Sequence, residues 1–239
     1  MSIKSQLVIA AALAIALLAY AASAAQAADE YRQAKFKAEV KGVQTYLGEY
    51  HHSPFDSCDP AIDSVTNEKI KFKSKKSVPF WVTELPESKT LVLSSGQRAL
   101  KFPTMASVTR SHSYSAGSVA PTCPDNGGGV NNVTEPDCGT KKVPLALSVD
   151  YYKANHVELQ PESNNVEDPF EMCGTGKFPY LLNGDKFGKR QDAELPVDEV
   201  FDTKIGKLIT IGSGNEGIVG PETIDETKIR WELSLTRVK

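Results

Sequence analysis

Beyond residues 1–27 the chain has no long apolar stripe at i, i+3, i+4, i+7 spacing, which excludes a helical bundle. It carries 4 cysteines, and no two of them form a Cys-x-x-Cys pair, the spacing of redox-active and zinc-ribbon sites. There is no G-x-S-x-G nucleophile elbow and no H-E-x-x-H zinc helix. Basic residues are outnumbered, 27 Lys and Arg against 30 Asp and Glu, for a net charge of −3. A phosphate-tracking protein needs a clustered basic excess, so no nucleic acid is expected as a partner.

What is present begins with a leader. Lys4 precedes an apolar run from Leu7 to Ala22, and small residues then end in Ala25-Gln26-Ala27 ahead of Ala28-Asp29-Glu30. A charged start, an apolar middle and a small-residue cleavage site make residues 1–27 a signal peptide. An uncleaved anchor would want about 20 apolar residues, and a lipid anchor would need a cysteine at the cleavage point. The expectation is a secreted or cell-wall-associated protein starting at Ala28, with no stable membrane insertion. Cleavage leaves 212 of the 239 residues, and losing Lys4 leaves 26 basic against 30 acidic side chains, a net of about −4. That length suffices for one large β domain.

After Ala28, apolar residues recur at every second position, as in strands with one face in a core. Phe36, Ala38 and Val40 alternate with lysines and Glu39; Val43, Thr45 and Leu47 continue after the turn-permissive Gly42. Ile70 and Phe72, the run Phe80-Trp81-Val82, Leu91 and Leu93, then Val143 to Val149, Val157 and Leu159 follow. Leu208 to Ile211 has the look of a strand buried on both faces. The closing stretch is the clearest, with Ile229, Trp231, Leu233 and Leu235 on one side and Lys228, Arg230, Glu232, Ser234 and Thr236 on the other. A chain that ends in strict alternation is expected to pair that strand inside a sheet, with Trp231 and Trp81 in the core. The basic run Lys69 to Lys76 alternates with apolar residues and is read as the wet face of a half-buried strand, guarded by lysines at a sheet edge. Its other reading is an anion-binding stripe.

These runs are about 4 to 8 residues long between Gly, Pro, Asn and Ser clusters, the pattern of an all-β antiparallel sandwich, immunoglobulin-like or related, with very little helix. The one candidate helix is a turn or two near Pro196 to Phe201. Residues 28–239 are expected to form a single domain. Residues 115–142, rich in Gly, Asn, Pro and Ser, form a loop that Cys123 and Cys138 pin. Export makes disulfides the expected state of all four cysteines. Four cysteines allow three pairings, and sequence alone does not choose; the preferred set is Cys123 with Cys138 and Cys58 with Cys173.

Several motifs suggest chemistry and are weighed against plainer readings. Gly212-Ser213-Gly214-Asn215-Glu216-Gly217 matches the dinucleotide fingerprint, but Gly220-Pro221 interrupts the helix that a pyrophosphate would need, so a glycine-rich hairpin loop is expected. Asp125, Asn126, Asn131, Asn132, Glu135 and Asp137 offer oxygen ligands for calcium, although turn chemistry recruits the same residues. Asn132-Val133-Thr134 is a sequon that only a eukaryotic secretory route would use. His51-His52 with Asp56 and Asp59 is the best candidate for a metal or acid–base cluster, yet adjacent histidines on a strand point to opposite faces. His112 and His156 complete the histidines. The acidic pairs Glu167-Asp168 and Asp198-Glu199 raise a glycosidase, which needs two carboxylates across a cleft. No catalytic residue, metal or cofactor is assigned.

Phe36-Lys37-Ala38-Glu39-Val40-Lys41-Gly42-Val43-Gln44-Thr45, Cys58-Asp59, Ile70 to Ser74, Asp137-Cys138-Gly139-Thr140-Lys141-Lys142, Asp168 to Cys173 and Arg230 to Arg237 together resemble a loose group of secreted actinobacterial proteins with a β-sandwich-like fold and no assigned function. The likeness spans most of the chain after the leader and departs from the group at Gly174, where proline usually follows the cysteine. It implies a fold and a compartment and carries no activity. The functional expectation is a binding or structural protein whose loops meet a glycan or a protein at the cell surface. The alternative is a secreted hydrolase of cell-wall or environmental carbohydrate.

Overall fold

In the computed structural model, which describes residues 32–55, 58–85, 90–93, 99–117, 133–153, 155–161 and 192–239, the period-two pattern becomes a sheet of ten strands with one short helix. The elements are β1 (Gln33–His52), β2 (Ile62–Ser74), β3 (Val78–Leu85), β4 (Thr90–Leu93), β5 (Ala99–Ala116), β6 (Val133–Lys153), β7 (His156–Pro161), β8 (Asp192–Glu194), α1 (Val197–Phe201), β9 (Lys207–Val219) and β10 (Thr223–Arg237). The leader, Cys123, Cys173, Asp56, the proposed calcium ligands Asp125 to Asn132 and the pair Glu167-Asp168 lie outside the described residues.

Every pairing is antiparallel. Eight strands follow one another in the order β9, β10, β1, β2, β5, β6, β7, β8, and the β3–β4 hairpin branches from the first half of β1. The sheet curls until its two ends lie side by side, where the Thr210 hydroxyl of β9 donates to the Glu194 carbonyl of β8 at 2.6 Å. The result is a nearly closed barrel instead of the two facing sheets of a sandwich. Alternation marks a half-buried strand without saying whether the opposite wall is a second sheet or the far side of the same one.

Strand lengths also differ from expectation. β1, β5 and β6 run 20, 18 and 21 residues, because residues read as turns lie inside strands. Gly42 is one of them. A Cβ there would come within 2.3 Å of the Phe72 ring and 2.8 Å of the Arg230 carbonyl, so glycine permits a close approach with no change of direction. β5, rich in Ser, Thr and Ala, carries too weak an apolar signal to be marked in the sequence. β2 is not an edge: it pairs along its length with β1 and β5, and Lys69, Lys71 and Lys73 line its exposed face. The 115–142 loop is shorter than expected, since β5 reaches Ala116 and β6 starts at Val133, and Cys138 packs against the core.

β1 organises the branch. Its residues Gln33 to Ala38 pair with β3, and on the same edge Lys41 to His52 pair with β2. Between the two partners the Val40 amide donates to the Ser74 hydroxyl at 3.2 Å, so the gap leaves no buried donor orphaned there. Phe36 and Val40 of β1, Phe80, Val82 and Leu91 of the hairpin, and Phe102, Leu147, Leu159, Leu233 and Leu235 of the barrel are all buried in one cluster. α1 joins the cluster through Val200, with Leu195 just before it. The Arg237 guanidinium donates to the carbonyls of Val200 at 2.7 Å, Asp202 at 3.0 Å and Ile205 at 3.0 Å, satisfying groups that the end of a helix leaves open.

The two tryptophans part company. Trp231 is 1% exposed, whereas Trp81 is 38% exposed with the Lys35 ammonium 4.2 Å from its ring centroid. Three consecutive apolar residues cannot share one face of a strand, and Phe80 and Val82 take the inner one. Likewise Leu208 is buried while Ile209 and Ile211 are about half exposed, so β9 buries a single face. Trp231→Ala should cost about 3–5 kcal/mol in chemical denaturation by deleting a core ring. Trp81→Ala should cost about 1 kcal/mol or less, and comparable losses would contradict this placement.

Candidate functional site

Past Val40, the inward positions of β1 change character: Gly42, Gln44, Tyr46, Gly48 and Tyr50 follow in the same phase. Val43, Thr45 and Leu47, expected to continue the apolar face, lie on the outer one, with Val43 36% exposed. β2 does the same from Phe72 through Glu68, Thr66 and Ser64; β5 from Val108 through Arg110, His112 and Tyr114; β10 from Ile229 through Thr227, Asp225 and Thr223. Cross-strand register stacks these residues in layers. Tyr46 stands beside Glu68 and Thr227, and Glu68 beside Arg110; one step up, Gly48 meets Thr66 and Asp225, with His112 beside Thr66; above that, Tyr50 meets Ser64 and Thr223. One end of the barrel is therefore lined with polar groups.

The lowest of these layers holds an ion pair inside the wall. The Arg110 Nε donates to Glu68 Oε2 at 2.7 Å and a terminal guanidinium nitrogen lies 2.7 Å from the same oxygen, with side chains 1% and 0% exposed. Two charges removed from water hold only if they face each other, so this pair fixes how β2 and β5 meet. Above it the Tyr46 phenol lies across Gly48, where a Cβ would come within 2.5 Å of the hydroxyl oxygen. Burial pushes the Tyr46 hydroxyl above its ordinary pKa, and the carboxylates of Asp225 and Glu68 push it further, against Arg110. Thr66 Oγ1 and His112 Nδ1 are hydrogen-bonded at 3.0 Å. Tyr46, Gly48, Tyr50, Ser64, Thr66 and Asp225 border a cavity of about 180 Å³ at the mouth, small enough to suit a single ring.

At the rim, Tyr50 and His52 stack with ring centroids 6.4 Å apart, and the His52 ring meets Phe55 edge-on at 5.7 Å. Phe55 is 88% exposed. Asp59 fastens this ledge: its Oδ2 accepts from the Phe55 amide at 3.0 Å and lies 2.7 Å from His52 Nε2, and those two bonds hold its carboxyl below the ordinary range. His51 points the other way, to Asp63 at 2.8 Å, which raises its pKa. The two histidines thus do not converge, as their spacing predicts. Among the described residues, no group of three His, Cys, Asp or Glu could hold a metal ion. His156 sits at the other end of the barrel, 2.8 Å from Asp192.

The remaining candidates do not assemble. Asp198 and Glu199 are exposed on α1, at the barrel end opposite the mouth. The glycine motif is no hairpin loop: residues 212–217 lie within β9, where Gly212 leaves room for the Trp231 indole and Gly217 for the backbone of Asp225 and Glu226. Cys58 and Cys138 are not free thiols. Sequence reasoning passed over Glu68, Arg110 and Tyr46, although the signal was present: a charge in the phase of Ile70 and Phe72, and a second in the phase of Ala106 and Val108.

Arg110→Ala should destabilise the protein by about 3–5 kcal/mol, because it strands a buried carboxylate. Replacing both partners, Glu68→Gln with Arg110→Met, should cost clearly less. A double variant as unstable as the single one would show that the pair is not the relevant interaction.

No family model, no curated protein and no solved structure matches the chain.

Proposed function

We propose that this chain is an exported binding protein that holds one sugar ring of a glycan in the mouth of its barrel. The observation that carries the reading is the polar cup itself: hydroxyl, carboxyl and imidazole groups of Thr66, Ser64, Asp225 and His112 below a ledge of Tyr50, His52 and Phe55. Sugar rings present hydroxyls at their edges and C–H groups on their faces, which suits hydrogen-bonding walls beside exposed aromatic rings. The leader-like residues 1–27 support a secreted or wall-associated setting.

Hydrolysis of carbohydrate has less support. A glycosidase needs two carboxylates free to act across the bond, and in the cup Glu68 is engaged by Arg110. The disulfide pairing that goes with export is Cys58 with Cys173 and Cys123 with Cys138. Non-reducing peptide mapping of secreted protein should find those two bridges, and free thiols would contradict export.

NMR titration with a panel of neutral oligosaccharides, wall-derived fragments included, should shift the resonances of Tyr46, Thr66 and His112 for one sugar class. Tyr50→Ala with Phe55→Ala should then weaken binding at least 10-fold while leaving the unfolding midpoint within a few degrees. If no sugar at millimolar concentration moves the cup resonances, the glycan reading fails.

A further inference from the structure

We propose a second binding surface, independent of the mouth: the outer face of β10, β1, β2, β5 and β6 is a track for an acidic polysaccharide. Register places Arg230, Val43, Lys71, Ser107 and Lys142 side by side across five strands. The adjoining rows bring Lys228, Thr45, Lys69 and Thr109 on one side and Glu232, Lys41, Lys73 and Met105 on the other. Lys69, Lys71, Lys73, Lys142 and Arg230 are all exposed. Lys41 and Lys228 lean on Glu232 at 3.1 Å and Glu226 at 2.7 Å, while none of the other five makes an ion pair with a described residue.

This concentration of positive charge runs against the composition, which is net −3. Alternate residues of a strand lie about 6.8 Å apart and neighbouring strands about 4.8 Å. Lys69, Lys71, Lys73 and Lys41 therefore each have a like charge within one Debye length, about 8 Å at physiological salt, while Arg230 and Lys142 flank Lys71 two strands away at about 9.6 Å. Lys41 and Lys73 are directly opposite in the β1–β2 ladder. Like charges in that position destabilise a sheet; Glu232 offsets Lys41, and a bound polyanion would offset Lys73.

The rest of the face narrows the partner. A concavity of about 550 Å³ lies on it, bordered on the outer face by Thr45, Leu47, Asn67, Thr109 and Ser111 with Lys69 and with Lys228, whose charge Glu226 offsets. Hydroxyl and amide groups beside ammonium groups suit a chain that carries both carboxylates and sugar hydroxyls. The three rows contain no aromatic residue, whereas single-stranded nucleic acid is held by stacking its bases on aromatic rings.

The test is affinity electrophoresis and calorimetry of the full chain with polygalacturonate, neutral dextran, an oligothymidylate and anionic lipid vesicles as probes. Polygalacturonate should bind best, weaken steeply as salt rises, and lose at least 10-fold in affinity with Lys69→Gln, Lys71→Gln and Lys73→Gln combined. The corresponding Lys→Arg triple should keep binding, as should Lys204→Gln with Lys239→Gln. An unchanged affinity in the Gln triple, binding of polygalacturonate that does not weaken with salt, or stronger binding of the oligonucleotide or vesicles would each overturn the proposal. Neutral oligosaccharide binding at the mouth should be unaffected by the Gln triple, which separates the two surfaces.

Discussion

The structure depends on the pairing of β1 along both of its edges. One edge is taken by β10 from Phe36 to Tyr50, and the other is divided between β3 and β2. A backbone with this many ladder bonds can be buried without orphaned amides, and the one amide at the division, Val40, finds the Ser74 hydroxyl. Each other strand is positioned relative to this one: β2 brings β5 and then β6, β10 brings β9, and the curl returns β8 to β9. The curl brings the two edges together without joining them: among the described residues β8 and β9 share no ladder and meet through the Thr210 hydroxyl, so the barrel is nearly closed.

Along β1 the interior divides into two environments. Below Gly42 the inward residues are apolar, and the β3–β4 hairpin, α1 and Arg237 close that end. Above it the wall turns polar and the barrel opens. An apolar filling of the upper end would be the more stable choice in a domain whose net stability is only about 5–15 kcal/mol. Retaining a dry Glu68–Arg110 pair and a cup of hydroxyls trades some of that stability for a shaped, polar surface. The lower half supplies the burial that makes this tolerable, and the long strands carry its rigidity up to the mouth.

Much of the architecture was legible because period two is written into side-chain order. Ile229 to Leu235 and Phe36 to Val40 announce their buried face directly, and the helix at Pro196 to Phe201 follows from its short apolar face. Closure was not legible, because alternation is the same in a sandwich and in a barrel. Gly42 and Gly212 were misread for a specific reason: each makes room for a large ring, Phe72 or Trp231, and such cradles look like turns when only one strand is in view. The cup was hidden differently. Its members are distributed over four strands, and only cross-strand register reveals that Tyr46, Glu68 and Arg110 share a layer.

The polar upper half belongs to the same cooperative barrel as the apolar lower half. Residue-resolved amide hydrogen exchange tests it most directly, since local opening and global unfolding separate in that measurement. The amides of Gln44, Tyr46, Glu68 and Arg110 should exchange as slowly as those of Val40, Phe72 and Leu233, through the same global opening. Fast exchange at the first four with full protection of the last three would contradict it, leaving a small closed core and an upper sheet that opens on its own.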